Sequence, residues 1–298
     1  MTPVPVILNP AAGGGRLLRR RGRLLAAAAA AGVELEFRAT GAPGHASELA
    51  AEAAAAGAPL VLAYGGDGTY NEVARGLVGS ATAMGVLPGG TTSVLAYELG
   101  VPRPAERALA ALLAGEDRAM RVGRSDRGDL VLLMLSAGPD SYVLDRLRPS
   151  LKRCGGRVGV ALQGVLEVFG PGTLPRLRMT VDGDVAEVGW AIVGKSRCYG
   201  GPFRATPGAD PFRGDLEVVA QRSSGRWAAL SFLGGIPRGR HVLRPDVLCR
   251  CVERVRLESA PGAAAVPYQV DGDVVGVLPV ELGLDPRPLQ VRMPRTAR

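Results

Sequence analysis

The stretch Leu60-Val-Leu-Ala-Tyr-Gly65-Gly66-Asp67-Gly68-Thr69-Tyr70-Asn71-Glu72-Val73 constrains this chain more than any other. A short apolar run enters a glycine-rich turn with one acid and one hydroxyl, and helix-compatible residues follow. Glycines let backbone approach an anion closely, and amide N–H groups at the start of the next helix point at it. The segment reads as strand, phosphate-binding turn and helix, although it lacks the lysine of a P-loop. A plain tight turn with Asp67 or Thr69 as helix cap is the simpler alternative.

The first third repeats this pattern. Apolar runs at Val4–Leu8, Leu60–Ala63 and Gly85–Leu87 alternate with longer Ala/Leu/Arg segments, as βαβ units do. Helices are predicted over Arg16–Ala31 and Ala46–Ala56, ended by Gly32 and Gly57, where a left-handed residue costs little. Others should start near Tyr70 and Thr92. The loops 9–15, 65–69 and 88–91 then follow strands and gather at the carboxyl edge of a parallel sheet, where ligands bind.

After about residue 122 the texture becomes short β-type runs broken by Gly, Pro and Asp: Leu130–Ser136, Arg178–Val181, Trp190–Gly194, Leu216–Ala220 and Val252–Leu257. An antiparallel β domain is expected there, with Arg157–Phe169 as a candidate helix. The expected fold class is α/β plus all-β: a doubly wound, Rossmann-like domain over 1–122 and a β-sandwich domain over 123–285. At 298 residues and 47% hydrophobic, the chain can build two cores.

Net charge is +8, and only Lys152 and Lys195 of the 36 basic residues are lysines. The bias reflects either codon preference or attraction to polyanions such as nucleotide phosphates or an anionic membrane. Five arginines in Arg16–Arg23 pose the same choice between phosphate attraction and a solvated helix face. Two histidines, His45 and His241, argue against a histidine triad, so a general base should be a carboxylate. The four cysteines lack metal-ligand spacing and read as reduced core residues. No apolar stretch reaches the roughly 18 residues of a membrane span, and a soluble, cytoplasmic protein is expected.

Residues 65–73 also match the signature Gly-Gly-Asp-Gly-Thr-x-Asn-Glu-Val, and the chain resembles the diacylglycerol kinase catalytic fold, which includes bacterial lipid kinases, sphingosine kinases and ceramide kinases. The resemblance extends to Asn9-Pro10 with Gly13-Gly14-Gly15-Arg16, to Pro88-Gly89-Gly90-Thr91, Ser136-Ala-Gly138-Pro139-Asp140, Cys198-Tyr199-Gly200-Gly201 and Val270-Asp271-Gly272-Asp273, in family order. It implies an ATP-dependent lipid kinase acting with Mg2+. Asn9, Thr40, Gly65, Gly66, Asp67, Gly68, Thr69, Asn71, Glu72 and Thr91 would bind nucleotide. Asp271 would be the general base, with Asp140 and Asp273 in a supporting acidic network and Asp67 facing the magnesium of Mg-ATP. By the same resemblance a last strand near 286–294 returns to the first domain, and the active site lies in the cleft.

Three departures stand out. Ser93 and Val94 replace an amide and an acid, and Asp273 replaces a glutamate. In the bacterial branch, a segment corresponding to Ala205–Leu216 supplies a carboxylate to a structural magnesium, and Arg213 stands at that place between Asp210 and Asp215. A cation cannot ligate magnesium. Arg213 either puts its guanidinium where the ion would sit or faces solvent.

The glycine loop alone also occurs in NAD kinases and, with Ser for Thr, in phosphofructokinases, so a small-molecule kinase and a non-catalytic binding homologue are the competing readings. Asp271-Gly272 is itself a hairpin signal, compatible with a catalytic role. The lipid would be met peripherally at the inner membrane surface. No nucleic-acid partner is expected, and a homodimer is allowed.

Overall fold

A computed structural model describes residues 2–90, 92–146, 175–223 and 225–295. The chain divides into two compact units, Met1–Arg121 with Pro286–Arg298, and Val122–Asp285.

In the first unit, β1 (Val4–Leu8), β2 (Leu35–Ala39), β3 (Leu60–Gly65) and β4 (Ala83–Pro88) are parallel. The helices α1 (Arg16–Ala30), α2 (His45–Ala55) and α3 (Asp67–Leu77) connect them. Strand order is β2-β1-β3-β4, continued by β20 (Leu289–Met293) and β5 (Glu116–Met120). The order reverses between β1 and β3, the switch point at which open α/β sheets bind ligands. β3 is buried throughout, which is why its sequence is apolar without alternation.

α1 buries Leu17, Leu24 and Ala28 and exposes its arginines. It closes at Gly32, whose φ of +68° lets Val33 N–H reach back to the Ala28 carbonyl at 3.0 Å. α3 starts at Asp67, three residues before the expected Tyr70: Gly66 is its N-cap and Asp67–Thr69 form its first turn. The short α4 (Val94–Glu98) and α5 (Ala105–Leu113) complete the unit.

The second unit is a sandwich of two six-stranded sheets. One runs β10 (Asp184–Val188), β9 (Leu177–Val181), β16 (Arg254–Ser259), β19 (Val280–Leu284), β6 (Gly123–Ser125), β7 (Leu130–Val131). The other runs β15 (Val247–Val252), β14 (Leu216–Gln221), β11 (Trp190–Gly194), β8 (Met134–Ala137), β17 (Pro267–Val270), β18 (Asp273–Val277). A short ribbon pairs β12 (Cys198–Tyr199) with β13 (Phe203–Arg204). Leu135, Ala191, Val193 and Val218 meet Leu177, Met179, Val255 and Leu282 in the shared core. Neighbouring Met134, Trp190, Ile192 and Val219 point the other way, packing with Phe232 of α7 (Arg226–Gly235); α6 (Pro139–Arg146) follows β8. The expected combination of α/β and antiparallel β architecture is therefore present.

Three expectations need correction. The run Leu130–Ser136 breaks at Leu132-Leu133, where backbone groups serve a carboxylate instead of a neighbouring strand. The run Val252–Leu257 breaks at Glu253, because β15 and β16 belong to different sheets and the chain turns a corner. Cys249 and Cys251 are exposed free thiols, since β15 is an edge strand; Cys198 alone of the described cysteines is buried. Cys154 and the candidate helix Arg157–Phe169 lie outside the described residues. Among the described residues no helix is long and apolar enough to cross a membrane.

Candidate functional site

At the switch point of the first unit, Asn9 and Thr69, 60 residues apart, meet directly: Asn9 Nδ2 donates to Thr69 Oγ1 at 3.2 Å. Asn9 Oδ1 accepts Ala11 N–H at 2.9 Å, which folds the loop after β1. Gly13, Gly14 and Gly15 follow with φ of +60°, +67° and +76°, a left-handed run that glycine adopts cheaply. The amides of Gly89 and Gly90 both donate to the Gly65 carbonyl at 2.8 Å. The buried Tyr70 hydroxyl lies 3.0 Å from that carbonyl and 3.0 Å from Leu87 O, and burial pushes its pKa up. A Cβ on Gly90 would stand 2.8 Å from Gly66 Cα, so the two glycine loops touch backbone to backbone.

The acid of the loop is turned toward its neighbour. Asp67 Oδ2 accepts Val94 N–H at 3.0 Å and the Thr92 hydroxyl at 3.4 Å, and Oδ1 accepts Leu95 N–H at 3.0 Å. It therefore caps α4. Burial raises its carboxyl above the ordinary aspartate value, and these donors partly offset the shift. Glu72 Oε2 accepts Ala46 N–H at 3.3 Å at the start of α2, and Asn71 Oδ1 accepts from Arg75 Nε at 2.9 Å. Thr40, just past β2, donates its amide to Leu8 O at 2.9 Å. Gly68 is exposed in the first turn of α3. Thr91 lies outside the described residues.

Against these loops opens a cavity of about 400 Å³ lined by Gly13, Gly89, Gly90, Arg16, Arg20 and Arg103. Arg16 is fixed by a 2.9 Å bond from its Nε to Gly13 O, and Arg103 by a bond to Thr92 O. Three guanidinium groups beside glycine backbone form an anion-receptive surface.

In the second unit, Asp271 and Gly272 form the two-residue turn between β17 and β18, with φ of +53° and +98°. The turn presents the Asp271 carboxylate to the break between β7 and β8. Oδ2 accepts Leu132 N–H at 3.0 Å, and Oδ1 accepts the amides of Leu133 and Met134 at 2.8 and 3.0 Å. Asp273 opens β18, exposed. Asp140, near the start of α6, accepts the Ser136 hydroxyl at 3.0 Å and the Tyr199 hydroxyl at 3.3 Å. Burial raises its carboxyl, with Ser136 the leading opposing influence. Gln269 Oε1 accepts Gly272 N–H at 2.8 Å, which braces the Asp271 turn.

The loop between β13 and β14 shows what stands at the place of the implied metal. Arg213 is about half exposed and pairs with Asp215 at 3.1 Å; Asp210 Oδ1 accepts Phe212 N–H at 2.8 Å. The buried cation is a residue that motif matching passed over: Lys195, whose Nζ donates to the carbonyls of Asp210, Arg213 and Asp215. Its available signal was rarity, since arginine fills nearly every other basic position.

Residues 3–125 match the diacylglycerol kinase catalytic domain family, and residues 148–293 match the YegS C-terminal NAD kinase beta sandwich-like domain. The chain is therefore similar to the diacylglycerol kinase catalytic-domain family. A diacylglycerol kinase of Mycobacterium tuberculosis (strain ATCC 25618 / H37Rv) is 29% identical over 300 residues, spanning 98% of this chain and 95% of that protein. A diacylglycerol kinase of Bacillus subtilis (strain 168) is 26% identical over 300 residues, spanning 97% and 96%. A Bacillus anthracis str. Sterne crystal structure, of a chain proposed to be a diacylglycerol kinase, superposes with TM-score 0.83 at 22% identity over 98% of this chain and 95% of that one, which establishes the fold. Similarity to this kinase family supports lipid kinase activity.

Proposed function

We propose that the protein transfers the γ-phosphate of ATP to a lipid hydroxyl, of diacylglycerol or a long-chain alcohol, with Asp271 as general base. The observation that carries the donor half is the convergence at the switch point: Asn9 on Thr69, Gly89 and Gly90 on Gly65, and three arginines around the adjoining cavity. Phosphoryl transfer asks a protein mainly for positioning and charge stabilisation, which glycine backbone and guanidinium groups supply. Magnesium would neutralise the β and γ oxygens when Mg-ATP binds. The residue that fits it is Asp67, a carboxylate at the loop, although its donors from α4 favour contact through retained waters.

For the acceptor half, Asp271 is held in one orientation by three amides, as a base for in-line transfer must be. A positioned carboxylate contributes roughly 100- to 10,000-fold. The net charge of +8 favours an anionic membrane surface, where the lipid is found.

The same amides take three of roughly four acceptor positions on the carboxylate, which favours a second reading: a homologue that binds nucleotide without turnover. The protein is incubated with labelled ATP and, separately, diacylglycerol, sphingosine, ceramide, a long-chain alcohol and NAD. A phosphorylated lipid whose formation drops at least ~100-fold in Asp271→Asn, with ATP affinity retained, is expected. Phosphorylated NAD without a lipid product refutes the proposal, and ATP binding with no product establishes the second reading.

A further inference from the structure

Lys195 directly follows β11 and is 0% exposed. Its Nζ donates to three carbonyls of one loop: Asp210 at 2.7 Å, Arg213 at 2.8 Å and Asp215 at 3.1 Å. A neutral amine has two N–H donors and an ammonium three, so this arrangement holds the charged form. Carbonyl oxygens converging on one buried point are also how loops hold hard cations. Arginine could not do the same, because its donors lie in a planar fork and cannot converge on a point.

The divalent ion implied for this loop does not fit. The Lys195 ammonium already occupies the point on which the three carbonyls converge, and a second cation beside it would be repelled. Arg213 occupies the place of the ligating carboxylate, and its side chain is engaged with Asp215 and with Gly208 O at 2.9 Å. Among the described residues no group of three or more His, Cys, Asp or Glu is placed to hold a metal.

The loop is anchored to β11 a second time. Thr206 Oγ1 donates to Ser196 O at 2.7 Å, and a Cβ on Gly194 would stand 2.0 Å from Thr206 Oγ1. The amides of Lys195 and Ser196 both donate to Leu133 O, at 2.8 and 2.9 Å, and the Ser196 hydroxyl donates to Leu132 O at 3.0 Å. Leu132 and Leu133 are residues whose N–H groups hold Asp271. One short segment thus has its carbonyls on the Lys195 side and its amides on the Asp271 side.

We propose that the Lys195 ammonium is a tethered replacement for the structural divalent cation, so that this chain organises loop 206–215, and through Leu132-Leu133 the orientation of Asp271, without binding a metal there. Lys195 is thereby a positioning residue; only its effect on turnover rests on the kinase reading above.

The test uses the full-length protein without nucleotide. Elemental analysis after purification should find far less than one tightly held divalent ion per chain, and thermal midpoints in EDTA and in Mg2+ should coincide. About one ion per chain, with a midpoint that falls in EDTA, overturns the proposal. Lys195→Met keeps length and loses the charge; removing one partner from a buried polar cage should lower the second unit's midpoint by about 10 °C. An unchanged midpoint overturns it. Lys195→Arg should melt like the Met variant, and full rescue by Arg would show that charge alone suffices, against the caged geometry. If the variants do not fold, the metal content and EDTA melt of the unmodified protein still decide. Below both midpoints, Lys195→Met should lower kcat on the lipid about 10- to 100-fold with KM for ATP unchanged. Equal kcat overturns the positioning role, and absence of any lipid product from the unmodified protein defeats the kinase reading while the metal and melting results stand.

Discussion

Gly13 and Gly14 form a matched pair that isolates one contact. Both have left-handed backbones, with φ of +60° and +67°. A Cβ on Gly14 meets nothing within 4 Å, whereas a Cβ on Gly13 stands 2.5 Å from the Gly89 carbonyl oxygen and 3.4 Å from Leu17 Cδ2. Gly14→Ala therefore reports backbone strain alone. A left-handed alanine costs about 1–2 kcal/mol, and reduced freedom of the unfolded chain returns about 0.4–1, leaving a loss of roughly 0.5–1 kcal/mol. Gly13→Ala carries the same terms plus the collision. Ordinary contact begins at 3.4 Å, so ~0.9 Å of separation must come from backbone on one side. Such overpacking costs about 1–3 kcal/mol, giving a total of roughly 2–4 kcal/mol and a midpoint about 10 °C lower. Because the displaced loop carries Gly89 and Gly90, which line the arginine cavity, nucleotide affinity should follow the collision and not the strain. Titration calorimetry with ATP should show at least ~10-fold weaker binding for Gly13→Ala and less than ~2-fold change for Gly14→Ala. Equal losses of stability and affinity in the two variants would refute the claim that the loop after β1 and the loop after β4 form one binding surface.

Three further outcomes follow from the geometry. Asp140 has its carboxyl value raised by burial, so its favourable contribution is complete below the ordinary value of about 3.9 and is lost as pH rises through the higher folded value; relative to Asp140→Asn, the unmodified protein should gain stability in urea titrations as pH falls from 8 to 4, and a constant difference would contradict the assignment. Ser93 sits at φ +47° with its buried hydroxyl lacking a hydrogen bond of good geometry, so Ser93→Gly should raise stability by roughly 0.5–1 kcal/mol in denaturant titration. Glu72→Ala removes the carboxylate that receives Ala46 N–H at the start of α2 and should cost about 0.5–1 kcal/mol, read as faster amide exchange in the first turn of that helix.

Local sequence determined the elements whose physics is local. The α1 and α2 boundaries followed from glycines at 32 and 57, which adopt φ of +68° and +77°, and the buried strand β3 was legible as an apolar run entering glycines. The hairpin at Asp271-Gly272 was legible from the dipeptide, and the family resemblance from ordered motifs. Tertiary structure decided what each polar group does, because partners lie far apart in the chain. Asp67 spends its carboxylate on α4 amides 27 and 28 residues away, and Asp271 reaches amides 137 to 139 residues back. The break at Leu132-Leu133 was invisible in an apolar run, since only the incoming carboxylate gives those amides a reason to leave the ladder. At residue 213 the sequence posed a charge problem that pairwise reading could not solve. The solution is an ammonium 18 residues upstream of Arg213, and it takes shape only where β11 and the loop before β14 fold onto one another.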